Sequence, residues 1–211
     1  MTLRERLILF TRYPEPGTTK TRMIPRLGPQ GAAELQRQMT VHVLAQATPL
    51  ASLRKVELEV RYEGGSSQLM RTWLGDQTTF VHQGTGNIGE RMARALLDAV
   101  TQGIDTAVLI GSDIPGISTT LLEDAFEKVN DRTVVLGPAK DGGYYLIGLS
   151  AQGLLKAAPG IFEGMAWGTS DVLQETCGRL RRKGLTYCLL DPLDDIDRPE
   201  DLAIWERFRR Q

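Results

Sequence analysis

The sequence has little of the chemistry that builds a zinc site or a disulfide framework. Of its 211 residues only two are cysteine, Cys177 and Cys188, and only two are histidine, His42 and His82. No C-x-x-C spacing occurs and the histidines stand alone, so the four tightly paired ligands of structural zinc are missing. Two sparse cysteines suit a reducing compartment. No apolar run approaches the ~18 residues of a membrane-spanning helix. The opening Met1 to Arg6 lacks the apolar core and small-residue cleavage site of a secretory signal. The cytoplasm is therefore the expected location. Charge of one sign is not in excess either. Lys and Arg total 25, Asp and Glu total 26, and the net charge is -1. That balance argues against a surface built to coat nucleic acid or an acidic membrane. No repeat, low-complexity tract or linker divides the chain, and residues 1–211 are expected to form one domain.

What is present is a β–α alternation. Leu7 to Phe10 is a compact apolar run and reads as a buried first strand, followed by a loop from Thr11 to Gly28. Residues 29–47 read as a helix with Pro29 in its first turn. Val56 to Tyr62 alternates with period two, as a half-buried strand does. A short helix is expected over 66–74, a short strand at Thr79 to Val81, and a helix on the 3.6-residue spacing of Ile88, Met92, Ala95, Leu96, Ala99 and Val100. Thr106 to Ile110 is the clearest buried strand. Ser118 caps a helix through about Val129. Strands at Thr133 to Leu136 and Tyr144 to Leu149, a helix around Val172 to Leu180, a strand at Leu185 to Leu190 and a helix opened by Pro199 complete the pattern. It predicts an α/β fold with a mostly parallel sheet and helices on both faces. Ligands of such sheets sit beyond the carboxyl ends of the strands. The loops after Phe10, Ile110 and Leu136 should therefore converge.

Charge is concentrated in two places. Residues 1–26 carry Arg4, Arg6, Arg12, Lys20, Arg22 and Arg26 against Glu5 and Glu15. Residues 191–201 carry Asp191, Asp194, Asp195, Asp197, Glu200 and Asp201 against Arg198. A basic and an acidic loop suit an anionic substrate bridged by a metal, although two solvated loops would show the same pattern. In the first loop Gly17 permits close backbone approach, Thr18 and Thr19 offer hydroxyls, and Lys20 and Arg22 offer cations to phosphate oxygens. The Walker A spacing is absent. Gly84 to Gly89 matches G-x-G-x-x-G literally. Its acid, Asp105, precedes a strand instead of ending one, which argues against dinucleotide binding.

The sharpest feature is Gly111-Ser112-Asp113-Ile114-Pro115, directly after the central buried strand. A carboxylate there stands at the mouth of the expected crevice. Hard divalent cations, Mg2+ or Mn2+, take oxygen ligands, often one or two carboxylates plus phosphate oxygens. Asp195-Ile-Asp197 would place two further carboxylates on one side if extended. Asp before Pro also makes ordinary turns, and acids before Pro199 also favour a helix start. Gly137 to Tyr145 enters a strand through Asp141, Gly142 and Gly143. It reads either as backbone closing on an acceptor, with Lys140, Asp141 or a tyrosine meeting it, or as a hairpin turn. Trp167 reads as a core or rim anchor, with a wall of the acceptor site as the alternative.

Across Phe10 to Arg22, Gln83 to Met92, Gly111 to Gly116, Gly137 to Gly148, Trp167 to Leu173 and Asp195 to Leu202, the chain resembles the radical-SAM/selenodomain-associated transferases. These belong to the nucleotide-diphospho-sugar transferase (glycosyltransferase A) superfamily. More distantly the chain is similar to molybdopterin-cofactor nucleotidyltransferases and 2-phospholactate guanylyltransferase. The resemblance implies a Rossmann-like three-layer α/β/α sandwich with a mixed, mostly parallel sheet. It implies a nucleotide site in the loop after the first strand, on Gly17, Lys20 and Arg22, with Thr11, Arg12, Gly86, Arg91 and Ser112 beside them. Asp113 is implied as the central metal ligand, completed by Asp195 or Asp197, and Asp113 and Lys20 as the catalytic pair. Asp141, Gly142, Gly143 and Tyr144 are the expected acceptor side. Two departures stand out. Gly111 occupies the position where sugar transferases of the superfamily carry a first aspartate, and Asn87-Ile88 replaces the usual Asp-Leu. The expected activity is metal-dependent transfer from a nucleoside triphosphate or nucleotide-sugar donor to a small-molecule acceptor. The rival is a non-catalytic nucleotide-binding module of a larger pathway complex.

Overall fold

A computed structural model describes residues 3–158 and 160–209. Seven strands form one sheet in the order β3-β2-β1-β4-β6-β5-β7. They are β1 (Glu5–Arg12), β2 (Glu57–Glu63), β3 (Thr79–His82), β4 (Thr106–Gly111), β5 (Thr133–Pro138), β6 (Tyr144–Ser150) and β7 (Thr186–Leu189). Only β6 runs antiparallel to its neighbours β4 and β5. It follows β5 through a hairpin too short for the crossover that a parallel strand requires. The mostly parallel sheet is thus as expected from the β–α alternation, and its mixed character as the family resemblance implied.

The apolar run of β1 is continuous because both faces of the sheet are covered. Leu7 and Leu9 point to a layer containing α1 (Ile24–Leu53), α2 (Ser67–Leu74) and α4 (Thr119–Lys128). Ile8 and Phe10 point to the opposite layer of α3 (Ile88–Thr101), α5 (Ala151–Ala157) and α6 (Val172–Arg182). Leu7, Ile8 and Leu9 are wholly buried, each worth about 1.5–3 kcal/mol relative to exposure. A third cluster seats the chain's end: Trp205 of α7 (Leu202–Phe208) and Ile196 pack on Met23, Ala32, Leu35 and Met39.

Two local outcomes differ from the sequence reading. Helix α1 outruns its expected end at residue 47 and passes through Pro49. Pro49 is exposed, so the carbonyl freed by its missing N–H can face water, while fully buried Leu50 holds the last turn to the core. At the other end a first turn from Ile24 is broken at Gly28, with φ 69°, and the helix restarts at Pro29, where it was expected to begin. Helix α5 was not anticipated. Gly153 weakens its helical signal, but the Ser150 hydroxyl caps it by accepting from Gly153 N at 2.9 Å. Ser118 caps α4 as expected, accepting from Leu121 N at 3.2 Å.

Candidate active site

The strand order reverses between β1 and β4, which pair in parallel with Phe10 opposite Gly111. A crevice opens at that switch point, beyond the carboxyl ends of the strands, where α/β sheets take ligands. It consists of two adjoining cavities. The first, about 450 Å³, collects Thr11, Arg12, Lys20, Arg22, Arg91, Ser112, Asp113 and Asp197. The second, about 230 Å³, collects Asp141, Gly143, Tyr144, Tyr145 and Asp195 among apolar side chains. Phe10, Ile88, Gly111 and Asp113 line both cavities. Asp113 therefore stands on their common wall.

Lys20 is the hub of the first cavity. Its backbone is left-handed, with φ 48°, an uncommon state for a residue with a Cβ. Its side chain is 4% exposed. The ammonium donates to the Ile196 carbonyl at 2.6 Å and lies 2.8 Å from Asp113 Oδ2 and 3.6 Å from Asp197 Oδ1. Arg22 pairs with the other oxygen of Asp197. The Asp201 carboxylate receives Asp197 N at 3.0 Å and Arg198 N at 2.7 Å, shaping the turn that presents Asp197. Ile196 N donates to the Asp113 carbonyl at 3.0 Å, which ties this turn to the end of β4.

Asp113 is steered from behind by residues with no motif. Gln36 of α1, buried, donates through Nε2 to Ser112 Oγ at 3.0 Å and to Thr40 Oγ1 at 3.0 Å. Ser112 then donates to Asp113 Oδ1 at 3.3 Å. Thr11 joins the same group through Thr40 at 2.8 Å. On the far wall Glu63 receives Arg12 at 2.6 Å and Arg91 at 2.9 Å. Burial pushes the Glu63 carboxyl up, but the hydrogen bonds from Arg91 and Arg12 outweigh it and hold the group below its ordinary value. Arg91 also binds the Gly86 carbonyl at 2.9 Å. Gln83, buried, fastens the wall by donating to the Thr11 and Arg61 carbonyls, each at 3.0 Å. Gln36, Glu63 and Gln83 escape sequence reasoning. The one signal for Gln36 is a polar side chain on the buried stripe of α1, four residues before Thr40.

The glycines turn out to serve packing. A Cβ on Gly86, at φ 103°, would overlap the Glu90 carboxylate, and one on Gly89 would overlap the Trp167 indole. Asn87 and Glu90 form a reciprocal cap on α3. Asp105 accepts from Arg4 N at 2.9 Å just ahead of β4, at the sheet end opposite the crevice. The G-x-G-x-x-G match is thereby explained without a dinucleotide. Gly17 has φ 88°, with nothing within contact of the place its Cβ would take.

In the second cavity the segment 139–143 is the β5–β6 hairpin turn. Asp141 Oδ1 accepts from Gly143 N at 2.9 Å. Gly142, at φ 93°, lies so close to the Ser170 backbone that a Cβ would overlap it. Its close approach is to protein. Burial pushes the Tyr144 phenol well above its ordinary value. Tyr145 donates to the Asp191 carbonyl at 3.0 Å. Trp167 packs on the α3 face of the core, as its sequence context suggested. Burial, then the neighbouring Asp141 carboxylate, holds Asp195 above the usual carboxylate range. Asp195 and Asp197 thus face different cavities. Lys140 is committed to Asp194 at 2.7 Å, and among the described residues no lysine or arginine lines the second cavity.

Among the described residues no group of three or more His, Cys, Asp or Glu is arranged to hold a metal ion. Asp113 and Asp197 instead converge on one ammonium. Two carboxylates completed by phosphate oxygens are a donor set that Mg2+ accepts, so the residues fit a divalent ion that arrives with a phosphorylated ligand.

Residues 43–169 match the family described as uncharacterized protein conserved in bacteria (DUF2064). The chain belongs to that family. It is similar over 99% of its length, at 32% identity and a TM-score of 0.85, to a provisionally assigned nucleotide-diphospho-sugar transferase from Desulfovibrio desulfuricans G20, covering 89% of that chain. It shares its fold with a nucleotidyl transferase from Methanothermobacter thermautotroptrophicus, at 16% identity, 98% coverage of each chain and a TM-score of 0.68. It also shares it with CMP:2-keto-3-deoxy-manno-octonic acid synthetase solved with CTP, at 12% identity, 99% coverage of each chain and a TM-score of 0.57. No curated protein matches the sequence. No helix of the described residues is long and apolar enough to cross a membrane.

Proposed function

We propose that this DUF2064 protein is a transferase that uses a nucleotide-activated donor, and that the group it transfers is a sugar. The observation that carries this reading is the position of Asp113 on the wall shared by two cavities of opposite character. The first offers Arg12, Lys20, Arg22 and Arg91 to the phosphates of a nucleotide. Thr11 and Ser112 contribute buried hydroxyls at the strand ends. Among the described residues the second cavity has carboxylates at Asp113, Asp141 and Asp195, no cation, and walls of Phe10, Met92 and Ile147. Carboxylates accept hydrogen bonds from hydroxyls and repel phosphates. A neutral polyhydroxyl group fits that charge pattern, and the D. desulfuricans relative is named for nucleotide-diphospho-sugar chemistry.

The donor's diphosphate then lies in the first cavity, and the bond to be broken lies beside Asp113. A divalent ion bound by Asp113 and Asp197 would neutralise charge on the departing nucleoside diphosphate. Arg22 and Arg12 hold the diphosphate oxygens, and Ser112 keeps the Asp113 carboxylate oriented. Asp141 and Asp195 orient hydroxyls of the sugar or acceptor, and Phe10 and Ile88 keep water from the reacting centre.

The four cations of the first cavity also suit a triphosphate, which favours nucleotidyl transfer as a second reading. Mass spectrometry of reactions with panels of nucleotide sugars and nucleoside triphosphates separates the two. Sugar transfer releases a nucleoside diphosphate from a nucleotide sugar. Nucleotidyl transfer releases pyrophosphate from a triphosphate. If donors bind but no acceptor from a sugar, polyol and phosphate panel turns over, the transferase reading gives way to a nucleotide-binding module.

A further inference from the structure

We propose that the Lys20 ammonium is an internal counter-ion that keeps divalent metal out of the Asp113–Asp197 pair until a phosphorylated ligand draws it away. An ammonium has three N–H donors. That of Lys20 donates to the Ile196 carbonyl at 2.6 Å and is ion-paired with Asp113 Oδ2 at 2.8 Å and Asp197 Oδ1 at 3.6 Å. Its charge is shared between the two carboxylates in this arrangement, and a phosphate has to compete with them for it. The Lys20 side chain is 4% exposed and Ile196 is wholly buried, so the ammonium is held at the floor of the crevice while the two carboxylates reach its open side. Asp113 and Asp197 are balanced by Lys20 and Arg22, so a free dication meets no net attraction there. Removing the Lys20 charge leaves two carboxylates facing one another across a vacated point, and a dication then relieves their repulsion.

This inference rests on the reading of the crevice as a nucleotide–metal site, and it gives that site an order of binding. Phosphate oxygens entering beside Lys20 compete with the carboxylates for its N–H groups. Once the ammonium turns to phosphate, Asp113 and Asp197 are released toward a metal. Metal and phosphorylated ligand therefore raise each other's affinity by the same factor.

The test uses Mn2+ alone, with no nucleotide present. Binding of Mn2+ to the full chain is followed by electron paramagnetic resonance for wild type, Lys20→Met, Lys20→Gln and Lys20→Gln/Asp113→Asn. Thermal melting in the absence of metal shows which variants are folded. Either folded single variant is expected to bind Mn2+ at least tenfold more tightly than wild type, and Asp113→Asn to remove the gain. Wild type binding Mn2+ as tightly as a folded Lys20 variant would overturn the proposal, as would a gain that survives Asp113→Asn. Lys20→Gln retains a donor for Ile196, so the comparison stands if Lys20→Met does not fold. No donor takes part, so this outcome is independent of which group the enzyme transfers. Conversely, failure to find a donor leaves the Mn2+ result intact.

Discussion

Gln36 Nε2 lies 3.0 Å from Ser112 Oγ, which in turn lies 3.3 Å from Asp113 Oδ1. Because the amide N–H occupies the serine's acceptor side, the hydroxyl hydrogen is directed at the carboxylate. Gln36→Leu removes that direction and leaves Thr40 and Ser112 short of a buried partner. It is expected to lower kcat about tenfold, equivalent to ~1.4 kcal/mol of barrier, and to cost about 1–3 kcal/mol of stability. Steady-state kinetics and urea denaturation check the two effects. An unchanged kcat would show that Gln36 serves only the core.

Gly142→Ala tests the hairpin beside the second cavity. The added methyl overlaps the Ser170 backbone, and the residue keeps a left-handed φ of 93°. A loss of about 2–4 kcal/mol is expected, from strain together with displacement of a packed loop. Melting temperature reports it. Gly17→Ala is the contrast. Its φ is equally unfavourable, but nothing lies in the way, so only the conformational cost of about 1 kcal/mol is expected.

Glu59 ties two buried guanidiniums together, Arg61 at 2.5 Å and Arg6 at 3.0 Å. Glu59→Leu leaves both without their shared carboxylate, although Arg6 keeps Glu57 and Arg61 keeps Asp98. The expected cost is about 3 kcal/mol, read from urea denaturation. Donor affinity of the folded variant should not change, because Glu59 lies on β2 outside the residues lining either cavity.

Glu63 gives the stability a pH dependence of known sign. Its folded-state carboxyl is held below the ordinary value by Arg91 and Arg12 against the opposing effect of burial. The ion pair therefore contributes fully above the unfolded carboxylate range, about pH 4.3. It is lost as pH falls through the lower folded value. The stability difference between wild type and Glu63→Gln should be largest near neutrality and shrink in acid. Urea melts from about pH 7 down to about pH 3 measure it. A difference that does not vary with pH would contradict the linkage.

The layers of the fold were legible because buried strands write themselves as short apolar runs. Thr106 to Ile110 announced β4, and Asp113 followed it at the crevice as expected. The far end of α1 was not legible, since burial of Leu50 overrides the local preference of Pro49. For the site, the sequence grouped Asp113 with Lys20 and Arg22 on one side and with Asp195 and Asp197 on the other. Their mutual arrangement depends on a lysine reaching a carbonyl 176 positions away, at Ile196, and no local pattern encodes that. Asp195 and Asp197 share one face only in an extended strand, and the turn closed by Asp201 sends them to different cavities. Gln36, Glu63 and Gln83 were missed because their roles lie in what they touch.

The central claim is that the crevice between β1 and β4 holds a nucleotide's phosphates against a cation at Asp113. It is tested most directly by the melting temperature of wild type and Asp113→Asn with a panel of nucleotide sugars and nucleoside triphosphates, each with and without Mg2+ or Mn2+. The account predicts that at least one nucleotide raises the wild-type melting temperature by several degrees only when the metal is present, and that Asp113→Asn abolishes the rise. A panel in which no nucleotide shifts the melting temperature, or an Asp113→Asn variant that keeps the full metal-dependent shift, would contradict it.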